Sequence, residues 1–76
     1  MTEHSPADRL VHMANQIATF FASQPGHDQA ERVALHLRDY WHPRMREGLA
    51  RHLAAGGAGL SPLARRAAEL LNLSAT

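Results

Sequence analysis

Apolar residues recur along this chain at intervals of three and four, the spacing of one face of an α-helix, and nowhere in strand-like alternation. Leu10, Met13, Ala14, Ile17, Phe20 and Phe21 form the first stripe. Ser5-Pro6-Ala7-Asp8 precedes it with a serine cap, a proline at the first helical position and a carboxylate where the helix dipole favours one. Ser23-Gln24-Pro25-Gly26 ends this helix. Asp28 is placed to cap a second, whose stripe is Ala30, Val33, Ala34, Leu37, Tyr40 and Trp41, with Asp28 and Arg32 as an i,i+4 pair on its other side. Pro43 cannot extend that helix but suits the first turn of the next, so the chain turns at His42. The third helix offers Met45, Leu49 and Leu53 and stops at Gly56-Gly57. Ser61-Pro62 opens a fourth, with Leu63, Ala67, Leu70 and Leu71 on one side. The pattern predicts an all-α fold, a small domain of about four short helices. Residues 1–76 form a single helical domain in this reading, with flexible ends at about 1–5 and 73–76.

Length makes that core marginal. A chain of 76 residues buries only about 60% of the surface its unfolded form exposes, and small domains make up the shortfall with disulfides, a metal or a partner surface. There is no cysteine, which removes disulfides, thiolate zinc sites, iron–sulfur ligation and cysteine nucleophiles together. The histidines at 4, 12, 27, 36, 42 and 52 are never three or four apart, so no helix presents paired metal ligands. Ser5, Ser23 and Ser61 fall at caps and turns, and no Gly-x-Ser-x-Gly elbow occurs. The glycine-rich run Gly56 to Leu60 follows a helix instead of a strand, which makes it a helix end and connector and not a phosphate loop. No catalytic, cofactor-binding or metal-binding residue is expected.

Eight basic residues, all arginine, against seven acidic ones leave a net charge of +1, which does not favour a large nucleic-acid or membrane footprint. A helix-turn-helix with Arg44, Arg46 and Arg51 on its reading surface is the DNA-binding alternative, opposed by Asp39 and Glu47 in the same segment. The N-terminus lacks the regions of a signal peptide, and no apolar run approaches the roughly 20 residues that span a bilayer. A cytoplasmic location is expected.

The first helix is unusual on its other side. His12, Asn15, Gln16 and Thr19 lie there, and from Leu10 to His27 no Asp, Glu, Arg or Lys appears. A solvated face normally carries charge, whereas amides suit a covered surface where a neighbour meets each one. The expectation is a helix covered twice, by its own domain and by another chain; the alternative is an exposed face that happens to lack charge.

Five segments then occur in order: MANQI (Met13 to Ile17), FF (Phe20-Phe21), HL (His36-Leu37), YWHPRMR (Tyr40 to Arg46) and GGAGLSPL (Gly56 to Leu63). Together they resemble the delta subunit of soluble, NAD-dependent molybdenum formate dehydrogenases, over about Leu10 to Ala68. Two positions depart from the family pattern: Tyr40 stands for phenylalanine, and His42 for the aspartate that commonly precedes the proline. Histidine is the poorer cap, so the third helix should start less stably by a fraction of a kcal/mol. The resemblance implies a non-catalytic accessory subunit without a cofactor, docked on the catalytic alpha subunit and supporting assembly and stability of the loaded complex. In such complexes alpha carries molybdenum on molybdopterin guanine dinucleotide together with iron–sulfur clusters, and beta and gamma subunits pass electrons through clusters and FMN to NAD. A transient factor in molybdenum cofactor insertion is the alternative role.

Asp39 to Glu47 holds the only tyrosine and the only tryptophan, with a proline and two arginines. Tyr40 and Trp41 are expected to pack against Phe20 or Phe21, while Pro43 fixes the turn so that Arg44 and Arg46 project beside Met45. A buried aromatic flanked by arginine is the composition of an interface anchor. The expected partner-binding residues are therefore Asn15, Gln16, Phe20, Trp41, Arg44, Met45 and Arg46. The competing reading makes Trp41 and Met45 core and leaves Arg44 and Arg46 solvated; a further alternative lays Arg46, closer to Leu49 and Leu53, over its own domain. Arg44, in the first turn of a helix, opposes the macrodipole, which argues for an external carboxylate or phosphate.

Overall fold

Prolines and glycines divide the chain into the four expected helices. A computed structural model describes residues 6–74, with side-chain surroundings over 7–72. The helices are α1 (Pro6–Ala22), α2 (Gln29–Tyr40), α3 (Pro43–Ala54) and α4 (Pro62–Ser74), and no strand occurs among the described residues. The Ser5 cap and the expected flexible ends lie outside the described residues, apart from positions 73 and 74, which continue α4.

Local chemistry sets each boundary. Asp28 occupies the start of α2 but makes no capping bond, because its backbone (φ −111°, ψ 28°) is not in the extended region a cap needs. Its carboxylate instead holds Arg32 Nε at 3.1 Å, a surface pair of small energetic weight. Gln29 Nε2 ties the preceding turn by donating to the carbonyls of Gln24 (3.2 Å) and Gly26 (2.7 Å). His42 does act as a cap: its backbone is extended, and its Nδ1 accepts the Arg44 N–H at 3.1 Å. A carboxylate would both accept that bond and face the positive end of α3. His42→Asp is therefore expected to raise the stability of the free chain by about 0.5–1 kcal/mol. An unchanged urea midpoint would mean that the imidazole already caps as well as aspartate does.

The α3–α4 connector is the most closely tied segment. Gly57 N–H donates to the His52 carbonyl (2.8 Å) and Gly56 N–H to that of Leu53 (3.0 Å), a paired closure that needs the positive φ of both glycines. Three side chains from three helices then hold the loop. Arg65 Nη2 donates to the carbonyls of Gly56 (2.8 Å) and Gly57 (3.2 Å), and His52 Nε2 meets the Ala58 carbonyl at 2.7 Å. From α1, Asn15 Nδ2 donates to the Gly59 carbonyl and Asn15 Oδ1 accepts the Ser61 N–H, both at 2.9 Å. Ser61 Oγ in turn accepts the Ala64 N–H and caps α4.

The core is built from small side chains. Val11, Ala14 and Ala18 of α1, Val33, Ala34 and Leu37 of α2, and Ala64, Ala67, Ala68 and Leu71 of α4 are buried, together with Trp41, Leu49 and Leu60. The buried line of α1 is thus rotated from the expected stripe: Leu10, Met13, Ile17 and Phe21 are half-buried at its flank, and Phe20 is exposed. In α4 the expected Leu63 and Leu70 likewise flank an alanine seam. Small residues let helix axes approach closely, and close backbones maximise dispersion contacts per residue. The α2–α4 pairing is the most extensive in the fold, and α1 packs across α2, α3 and α4. Gly48 has the same function on α3, since a Cβ there would stand 2.7 Å from Leu10 Cδ1 on α1.

Candidate functional site

The seven expected contact residues do not form one surface. Trp41 is only 6% exposed and belongs to the core, with Met45 packed half-buried against it. Trp41 thus packs as the competing core reading expects, and an indole enclosed by its own domain offers little surface to a partner. Tyr40 is the reverse case. Grouped in the sequence with the buried stripe of α2, it is 76% exposed at the last position of that helix. Asn15, also among the expected contacts, has both ends of its amide bonded within the chain at the connector. Thr19 is similarly turned inward on its own helix, its Oγ1 donating to the Asn15 carbonyl at 2.9 Å.

Gln16 and Phe20 remain on the outside, and they sit together. They line a shallow hollow of about 280 Å³ with Ile17, Phe21 and His36. A row of rings runs out of this hollow across two helices. Phe20 meets Phe21 edge to face (centroids 5.2 Å apart), Phe21 meets His36 at 6.0 Å, and His36 lies tilted on Tyr40 at 4.7 Å. Such geometries are favourable for each pair. They do not explain why Phe20, with 60% of its surface in water, and Tyr40 stand at the two ends of the row. Neighbouring exposed apolar groups of this kind mark interaction sites more often than isolated ones do. The uncharged stretch of α1 was the sequence signal for this face; the rings of His36 and Tyr40 join it only because α2 packs beside α1.

Arg44 and Arg46 diverge, as positions two apart on a helix must. Arg44 is exposed in the first turn of α3, and no side-chain acceptor meets it among the described residues. Arg46 is half-buried beside a cleft of about 330 Å³ lined by α2, α3 and α4. Pro43, Glu47 and Ala50 of α3, Ala68, Leu71 and Asn72 of α4, and Arg38 of α2 complete its walls.

Among the described residues no group of three or more His, Asp or Glu is placed to hold a metal ion, and no helix is long and apolar enough to cross a membrane. Comparison with known proteins adds one match. A family model described as the NADH-dependent formate dehydrogenase delta subunit FdsD matches residues 9–68 of the 76. No curated protein matches the chain.

Proposed function

The chain belongs to the FdsD family of NADH-dependent formate dehydrogenase delta subunits, and on that premise we propose that it is a non-catalytic subunit docking on the catalytic molybdenum subunit. In this reading it supports assembly and stability of the cofactor-loaded cytoplasmic complex, while molybdopterin, iron–sulfur, flavin and NAD chemistry stay on the alpha, beta and gamma subunits. The observation that carries the docking reading is the row Phe20–Phe21–His36–Tyr40, beside a helix face without formal charge. A small domain gains little by wetting two aromatic rings, but a partner surface that covers them removes that apolar area from water. Gln16 in the hollow supplies an uncharged donor and acceptor that a partner backbone can meet without a desolvated ion. Exposed Arg44 adds a steering charge at the start of α3.

Phe20→Ser and Gln16→Glu test this face without touching the core. Each is expected to weaken association with the remaining formate dehydrogenase subunits by about tenfold or more, equivalent to about 1.4 kcal/mol, while the free chain keeps its helical content. Rebinding of the purified chain to complex lacking it, followed by size exclusion, reads the effect. Unchanged binding of both variants would remove the aromatic row as the docking surface. Loss of the wild-type chain from mature complex in high salt, with complex yield still dependent on it, would convert the permanent subunit into a transient assembly factor.

A further inference from the structure

The cleft between α2, α3 and α4 carries a feature that the helices alone do not require. Arg46 Nε is shut away from water with no hydrogen-bond acceptor. It is the sole buried side-chain nitrogen or oxygen left so among the described residues. A buried donor without a partner is costly, more so on a cation, and native folds rarely keep one without a reason. No acidic side chain among the described residues pairs with it. Asp39 is held by Arg38 Nε at 3.3 Å, and Glu47, on the next position of α3 and on the cleft rim, makes no ion pair with Arg46. An apolar floor of Ala50, Ala68 and Leu71 keeps the charge in a poorly screening environment.

We propose that this cleft receives an aspartate or glutamate side chain of the partner subunit, whose carboxylate draws out the Arg46 guanidinium and forms a two-pronged ion pair with it. The side-on edge of a guanidinium, Nε–H with one Nη–H, matches the two oxygens of a carboxylate. Arg38 lines the same cleft but is already paired with Asp39, so Arg46 is the cation that remains to be met, and the alanine and leucine walls suit the methylene stem of the incoming residue. A volume of about 330 Å³ holds a side chain with its neighbours and would leave a free one-carbon anion loosely surrounded. The inference rests on the docking reading for the identity of its partner, but its residues lie on a different face from the aromatic row.

The chain contains no lysine, so Arg46→Lys introduces its only side-chain amine. Assembled with the other subunits and treated with a zero-length carbodiimide, that variant should yield an amide link from position 46 to one acidic residue of the partner, mapped by mass spectrometry. A link only to Glu47, or none, in a complex that has assembled overturns the proposal. Arg46→Met, which keeps the stem and removes the charge, should bind at least tenfold more weakly while the free chain melts no lower than wild type, because the orphaned donor has gone. Normal binding, or a lower melting temperature, assigns Arg46 to packing and rejects the partner carboxylate. Titrating the isolated chain with sodium formate while watching the Arg46 Nε–H resonance should give no saturable shift; saturation at low millimolar formate would reassign the cleft to a free anion. If wild-type chain fails to rebind at all, the docking reading itself falls. If wild type rebinds and Arg46→Met rebinds equally, only this inference does.

Discussion

Trp41→Ala is expected to cost the free chain about 3–5 kcal/mol, the usual range for emptying a buried aromatic site. At about 0.05–0.15 kcal/mol per residue, 76 residues provide only about 4–11 kcal/mol in total, so a large part of the stability goes, and at the lower end all of it. Thermal melting followed by circular dichroism should show the midpoint drop by about 15–30 °C, or no cooperative transition at all. The indole closes the end of α2 and is the one aromatic side chain in a buried core otherwise made of alanine, valine and leucine, so its removal leaves the largest single void the core can offer. Loss of docking in this variant would then follow from unfolding. The opposite result, a free chain that melts normally but no longer associates, would return Trp41 to the partner surface and contradict the packing described above.

Asn15→Leu is the second large effect. The leucine keeps the shape of the amide and removes both of its bonds to the connector, leaving the Gly59 carbonyl and the Ser61 N–H without their partner. Each orphaned group costs about 1–3 kcal/mol when buried; water can reach the Gly59 side, so the sum should be about 2 kcal/mol. Asn15→Asp should be no better, since it retains the acceptor for Ser61 and sets a second oxygen against the Gly59 carbonyl. Urea unfolding measures the loss, and hydrogen exchange locates it: the Ser61 amide should lose protection before the amides of α2. Equal stability together with unchanged Ser61 exchange would show that the connector stands without this amide. The same variant separates two roles for the uncharged side of α1, because a partner contact at Asn15 would weaken association and leave the free chain intact.

Helix number, order and most of the turns were legible in the sequence because they depend on neighbours within four or five positions. Pro43, the Gly56-Gly57 pair and the Ser61-Pro62 start act through their own backbone geometry, and the family resemblance of the ordered segments agrees with the match over residues 9–68. The candidate site was legible only in part. Lack of charge along α1 pointed to a covered face, and Phe20 and Gln16 do lie together on it. Asn15 was drawn into the same reading because an uncharged amide looks identical whether its partner is another chain or a loop 44 positions away.

By itself, then, the sequence determined an all-helical chain, its punctuation, its family and the absence of thiolate chemistry, all consequences of local propensity or residue type. Only the tertiary structure decided which way each stripe turned. Alanine is apolar enough to be buried and small enough to be ignored in a hydrophobic pattern. Yet close helix approach selects Ala14, Ala18, Ala64, Ala67 and Ala68 for the seams and leaves larger Phe20 and Tyr40 outside. The packing of α4 against α2 and α3 likewise creates the cleft that shuts in Arg46 Nε, a consequence of helix crossing that no spacing along one helix encodes.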